Sequence, residues 1–212
     1  MNVLVDLKGP KKESLIKTEF LIIFLHGWGS DGNDLIQLAN YWDKDLPSAT
    51  FLAPNAQEVC SANPNGRQWF EIMNQDSLKM YQDIDKAYFV LIKYIQECLK
   101  LYNLEKHNYF LVGFSQGTML ALHTAMRQKC LGILGYSGAL IENEANQAVV
   151  KNKVLLLHGQ LDNIVTVDRM ENAYNKLKSF SFDVDKFVFD DLEHSINEEG
   201  LKMGKDFIKK NL

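Results

Sequence analysis

The chain has few cysteines, little net charge and no long apolar run. Its three cysteines, Cys60, Cys98 and Cys130, are odd in number and widely spaced, with no C-x-x-C pair. That pattern excludes a disulfide framework and offers no zinc-ligand spacing, so a reducing, cytoplasmic setting is expected. The longest apolar stretch, Phe20 to Leu25, falls far short of the roughly 18 residues that cross a bilayer, and no integral membrane segment is expected. Met1 to Ser14 mixes Asp6, Lys8, Lys11, Lys12 and Glu13 into a weakly apolar stretch. It has no basic region leading into an apolar core, so no secretory signal is predicted. A net charge of -4 leaves no electrostatic footprint for nucleic acid or an anionic membrane surface. Internal repeats, low-complexity tracts and linkers are also missing, and 212 residues then suit one domain spanning 1–212.

What is present is ordinary globular composition, 46% apolar and 24% charged, ordered by short apolar runs. The run Tyr109 to Phe114 ends at Gly113-Phe114-Ser115-Gln116-Gly117 and passes into a helix-like segment, Thr118 to Arg127. A strand, sharp turn and helix carrying G-x-S-x-G form a nucleophile elbow, with the serine oxygen exposed above the sheet. Gly113 and Gly117 lack a Cβ, so strand and helix can close in on a serine held in an unfavourable backbone region.

Phe20 to Leu25 reads as a strand buried on both faces. The loop His26-Gly27-Trp28-Gly29-Ser30-Asp31-Gly32 follows at its carboxyl end, where open α/β sheets place ligands. Asp31 and Asp34 mark the start of a helix of about ten residues through Leu35, Leu38, Ala39 and Trp42. Thr50 to Ala53 is a second short strand. Further strands are predicted at Leu131 to Ser137, Lys153 to His158 and Asp185 to Phe189. Helices are predicted at Asp83 to Tyr102, Val165 to Phe180 and Ile196 to Leu212. Ala139 to Asn152 is a polar connection without a clear assignment. Strands alternating with helices of this length predict an α/β fold, a mostly parallel central sheet with helices on both faces.

No period holds from Asn55 to Gln82, and a structureless stretch this long inside a domain points to a functional loop or lid. It carries Trp69, Phe70, Ile72, Met73, Met80 and Tyr81. Two readings are open, an apolar wall for a substrate chain at Trp69, Phe70, Ile72 and Met73, or residues that pin the loop to the core. The same apolar residues also suit a homodimer contact.

A serine hydroxyl needs a positioned base, usually a histidine oriented by a carboxylate. On α/β-hydrolase scaffolds the chain order is serine, acid, histidine. His26 and His107 precede Ser115, His123 lies on the helix beyond the elbow, and His158 leaves only His194 after it. His194, in a loop after the last strand, is therefore the expected base. The expected acid is Asp162, four residues past His158 at a strand's carboxyl end, with Asp190 or Asp191 as the alternative. The expected oxyanion donors are backbone N–H groups, that of Gln116 after the nucleophile and that of Trp28 in the glycine-rich loop.

With these residues the chain resembles the small carboxylesterases, the phospholipase/carboxylesterase family of α/β-hydrolases that includes acyl-protein thioesterases and lysophospholipase-like esterases. The resemblance rests on Phe24 to Asp31, Ala53-Pro54-Asn55-Ala56, Trp69-Phe70-Glu71-Ile72, Gly113 to Gly117, His158 to Asp162 and His194-Ser195. It implies an α/β-hydrolase fold and an esterase or thioesterase with Ser115, Asp162 and His194 as triad and Trp28 and Gln116 as amide donors. It also implies an acyl groove by Trp69, on a substrate whose acyl chain is carried by a lipid or a protein. Such chemistry calls for no metal and no cofactor. Two departures stand out. Asn163 and Thr166 replace prolines that are usual after the acid, and Thr118 replaces a glycine often found after G-F-S-Q-G. A hydrolase of short esters or lactones, and a catalytically idle α/β binding protein, are the rival readings.

Overall fold

The computed structural model describes residues 7–73, 76–141, 148 and 150–212. Seven strands form one sheet in the order β1 (Lys11–Lys12), β3 (Ala49–Leu52), β2 (Phe20–Leu25), β6 (Tyr109–Phe114), β7 (Gly132–Tyr136), β8 (Lys153–Gly159) and β9 (Asp183–Phe189). All pairs are parallel except β1 with β3. This short antiparallel edge has no counterpart in the sequence expectation, because two lysines carry no strand signature. The central strands β2, β6 and β7 are apolar on both faces, as a covered parallel sheet demands.

Helices cover both faces. Helices α3 (Ser77–Leu101), α4 (Gln116–Ala125) and α5 (Val167–Ser179) pack their Ile84, Leu91, Ile95, Leu120, Met170 and Leu177 on one side. On the other lie α1 (Gly32–Ile36), α2 (Ala39–Trp42) and α6 (Glu198–Lys210), with Leu35, Trp42, Leu201 and Ile208 buried. A small second sheet pairs β4 (Glu58–Val59) with β5 (Arg67–Gln68). Among the described residues, no helix is long and apolar enough to cross a membrane.

Three expectations are revised. The single helix expected after Asp31 is two short ones, because Leu38 N–H bonds to Leu35 O and Asn40 N–H to Gln37 O, tight turns that break the ladder. Asp31 caps α1 as expected, accepting from Asn33 N–H at 2.8 Å. The long helix begins at Ser77 rather than Asp83, capped by Asp76, whose carboxylate accepts from Lys79 N–H. Its first turns touch the core only through the partly buried Met80 and Tyr81, so they carry no regular apolar stripe, and the first buried position is Ile84. The stretch 55–82 therefore holds a hairpin and the start of a helix. The connection from Ala139 to Asn152 falls partly on 142–147 and 149, outside the described residues, as do 74–75 within the expected lid.

Candidate active site

Three β-strand ends build the site. Strand β6 delivers Ser115 at φ 53° and ψ -114°, a positive φ that a residue bearing a Cβ rarely adopts. The turn is possible because the neighbouring glycines allow contact closer than a side chain would. A Cβ on Gly117 would lie 1.8 Å from Leu25 O, and one on Gly113 2.4 Å from Thr118 N.

Strands β8 and β9 deliver Asp162 and His194 on two loops laced together. Gln160 N–H bonds to Phe189 O at 2.8 Å, and Leu161 N–H to Leu192 O at 3.0 Å. Asp162 is 4% exposed, and each of its oxygens has a distinct task. Oδ1 accepts from Ile164 N–H at 2.9 Å and Val165 N–H at 2.8 Å. Those two bonds tie down the loop that lacks the family's prolines at Asn163 and Thr166. Oδ2 lies 2.7 Å from His194 Nδ1 and 3.2 Å from His158 Nε2. Asp190 and Asp191 make no such contact with His194.

The carboxylate on Nδ1 favours the tautomer that leaves His194 Nε2 as an acceptor. The ring packs against Phe114 at 4.9 Å between centroids. Ser115 and His194 both border one cavity of about 610 Å³, with no hydrogen bond between them among the described residues. Bonds of this kind commonly tighten only when substrate is bound.

The same cavity is bordered by Trp28 and Gln116. Gln116 opens α4, so its N–H has no helical acceptor. Its side chain is a brace. Oε1 accepts from Trp69 N–H at 2.9 Å, and Nε2 donates to Phe70 O at 2.7 Å. Trp69 in turn donates from Nε1 to His26 O at 3.0 Å. Trp28 Nε1 donates to Gln68 Oε1 at 3.0 Å. Gly29 N–H bonds to Arg67 O and Arg67 N–H to Ser30 O, at 2.9 and 2.8 Å.

The hairpin β4–β5 is thus stitched to the glycine-rich loop after β2 and to the elbow. Trp69 and Phe70, each 1% exposed, sit in the core and do not border the cavity, while Met73 is 51% exposed and also off it. Of the four residues expected to line an acyl groove, only Ile72 borders this cavity. The wall is instead made by Leu35, Ile72, Met80, Met119, Ile141 and Ile164. The alternative reading of Trp69 and Phe70, that they pin the loop to the core, is the one the placement favours.

Two histidines set aside in the sequence belong to the scaffold of the site. His26 is fully buried, and burial pushes its pKa down, which keeps it neutral. Its Nε2 accepts from Ala56 N–H at 3.0 Å, so Nδ1 carries the proton and donates to Gly27 O at 2.8 Å. That pins the peptide leading into Trp28. His158, also pushed down by burial, donates from Nε2 to Val165 O at 2.6 Å beside Asp162. Nothing but three-dimensional proximity signals either role.

Thr118, the departure beneath the elbow, donates its hydroxyl to Tyr136 O at 2.8 Å, and its methyl occupies space that two glycines leave. A Cβ on Gly135 would lie 2.6 Å from Thr118 Cγ2, and one on Gly138 2.3 Å from Thr118 Cβ. Gly135→Ala is therefore expected to destabilise by about 1–3 kcal/mol through overpacking, or roughly 2–12 °C in Tm for a domain of this size. In a Thr118→Ser background, which keeps the hydroxyl and removes the methyl, most of that loss should disappear. Thermal melts of the two single variants and the double variant measure the coupling.

A family model described as Phospholipase/Carboxylesterase matches residues 13–212. The chain is 28% identical over 214 residues to acyl-protein thioesterase 1 of Saccharomyces cerevisiae, covering 90% of this chain and 92% of that protein. It is 23% identical over 193 residues to esterase YpfH of Escherichia coli, covering 89% and 82%. The crystal structure of esterase PE8 superposes with a TM-score of 0.91 at 34% identity, covering 97% of this chain and 99% of that one. The carboxylesterase of Bacillus cereus, at 17% identity and a TM-score of 0.81 over 96% and 93%, shares the fold.

Proposed function

The chain belongs to the phospholipase/carboxylesterase family of α/β-hydrolases, and from that premise we propose that it cleaves carboxylic esters or thioesters through an acyl-enzyme on Ser115. His194 Nε2 takes the hydroxyl proton as Ser115 Oγ attacks the carbonyl, and Asp162 stabilises the imidazolium that forms. The developing oxyanion is held by Trp28 N–H and Gln116 N–H, preorganised donors that gain strength as charge develops. His194 then protonates the leaving alcohol or thiol. Water, activated by the same ring, releases the acid and restores the serine.

The observation that supports this reading is that one cavity is bordered by the strained Ser115, by His194 with its carboxylate partner, and by Trp28 and Gln116, whose N–H groups have no backbone acceptor among the described residues. The cavity wall supports a substrate class. Leu35, Ile72, Met80, Met119, Ile141 and Ile164 suit an acyl chain of more than a few carbons, which transfers out of water at about 0.8 kcal/mol per CH₂.

A series of p-nitrophenyl esters and acyl thioesters tests both parts. kcat/KM should climb roughly fourfold per added CH₂ while the groove fills. A maximum at two to four carbons would favour a hydrolase of short esters or lactones instead. Complete inertness toward the whole series would favour a binding protein.

A further inference from the structure

The border of the cavity carries one cation that makes no ion pair among the described residues. Among the described residues, the Asp and Arg side chains bordering it are Asp34 and Arg169, and their situations differ. Asp34 is engaged, with the Ser30 hydroxyl donating to its carboxylate. Arg169, in the first turn of α5 one helical step from Thr166, makes no side-chain hydrogen bond or ion pair among the described residues. Its backbone N–H donates to Thr166 O at 2.9 Å, which leaves the guanidinium donors unused. The nearby acid Glu171 is taken by Lys186, and Asp168 precedes Arg169 on the helix without bonding it. The side chain is exposed to solvent, at the rim of a site whose wall otherwise includes Ile141, Ile164 and Val165.

A guanidinium has five donors in a planar fork and does not lose its charge, so it matches carboxylate and phosphate oxygens in a bidentate way. We propose that Arg169 selects esters carrying an anionic oxyacid group a few bonds from the scissile carbonyl. The apolar wall takes the hydrocarbon, the rim takes the charge, and Asp34 disfavours the reversed placement. The inference rests on the esterase reading and refines its substrate class.

Two substrate pairs separate the sources of the anion. On the acyl side, 4-nitrophenyl butyrate is compared with the 4-nitrophenyl monoester of glutaric acid. On the alcohol side, a monoacylglycerol is compared with the same acyl ester of glycerol 3-phosphate. Each is assayed with the unsubstituted protein, Arg169→Gln and Arg169→Lys.

In Arg169→Gln, kcat/KM for the anionic member of at least one pair should fall about tenfold, mostly through KM, while its neutral partner stays within about twofold. Arg169→Lys should recover part of the loss, and added salt should shrink the preference because the site is solvated. Which pair responds tells whether the anion lies on the acid or on the alcohol. An anionic-to-neutral ratio unchanged by Arg169→Gln in both pairs would overturn the proposal, as would an equal loss on all four substrates. Failure of the unsubstituted protein to hydrolyse any of them would contradict the esterase reading instead.

Discussion

Replacing Ser115 by alanine is expected to lower kcat on the order of 10⁶-fold while KM changes little, as loss of a nucleophile does when the rest of its catalytic unit acts only through it. The expectation follows from the turn. Ser115 Oγ is the only hydroxyl that the elbow presents to the cavity beside His194 and the two backbone donors. Alanine removes that oxygen without touching the glycine contacts at Gly113 and Gly117, and the cavity and fold should survive. Residual hydrolysis above the uncatalysed rate should remain, because the N–H groups of Trp28 and Gln116 still polarise a bound carbonyl. Unaltered melting with collapsed kcat would separate chemistry from folding. Turnover within about tenfold of the unsubstituted enzyme would mean that another group attacks.

Asp162→Asn is expected to lower kcat by about 10⁴-fold in a folded protein, and the cause is geometric. Oδ1 accepts two backbone N–H groups, from Ile164 and Val165, so an asparagine must place its carbonyl oxygen there. Its NH₂ then faces His194 Nδ1 and donates to it. The ring is driven to the tautomer with a proton on Nε2, which can no longer accept from Ser115. The NH₂ also meets His158 Nε2, itself a donor 3.2 Å from the same oxygen, so some stability is lost as well. Steady-state kinetics beside a thermal melt distinguish the two effects. Turnover near normal would move the acid to Asp190 or Asp191.

The parts of this molecule legible in its sequence are those written in short-range pattern. Phe20 to Leu25, Tyr109 to Phe114 and the run Val154 to Leu157 are apolar on both faces because each is flanked by strands and covered by helices. Buried strands of this kind leave an unbroken apolar signature. Ser115, Asp162 and His194 stand out as candidates in the sequence because each follows a strand end.

What stayed hidden depends on contacts across the chain. Trp69 and Phe70 look like substrate wall when only their hydrophobicity is known. Their burial against His26 and Gln116 emerges from bonds spanning 43 and 47 positions. For the same reason the Gln116 side chain does more than its backbone role suggests, since its truncation would orphan two buried backbone groups at Trp69 and Phe70. The contact between His158 and Asp162 is close in sequence, yet its meaning appears only once His194 arrives at the same carboxylate oxygen. Thr118 looked like a departure from the family pattern, and its hydroxyl and methyl are accommodated by Tyr136 O and by Gly135 and Gly138.

The most direct measurement is intact-protein and peptide mass spectrometry after treatment with a fluorophosphonate. One adduct per chain on the peptide containing Ser115 is expected. The adduct should be absent in Ser115→Ala and form far more slowly in His194→Ala, with loss of esterase activity tracking labelling one to one. Labelling at another residue, or full esterase activity in protein quantitatively modified at Ser115, would contradict the account.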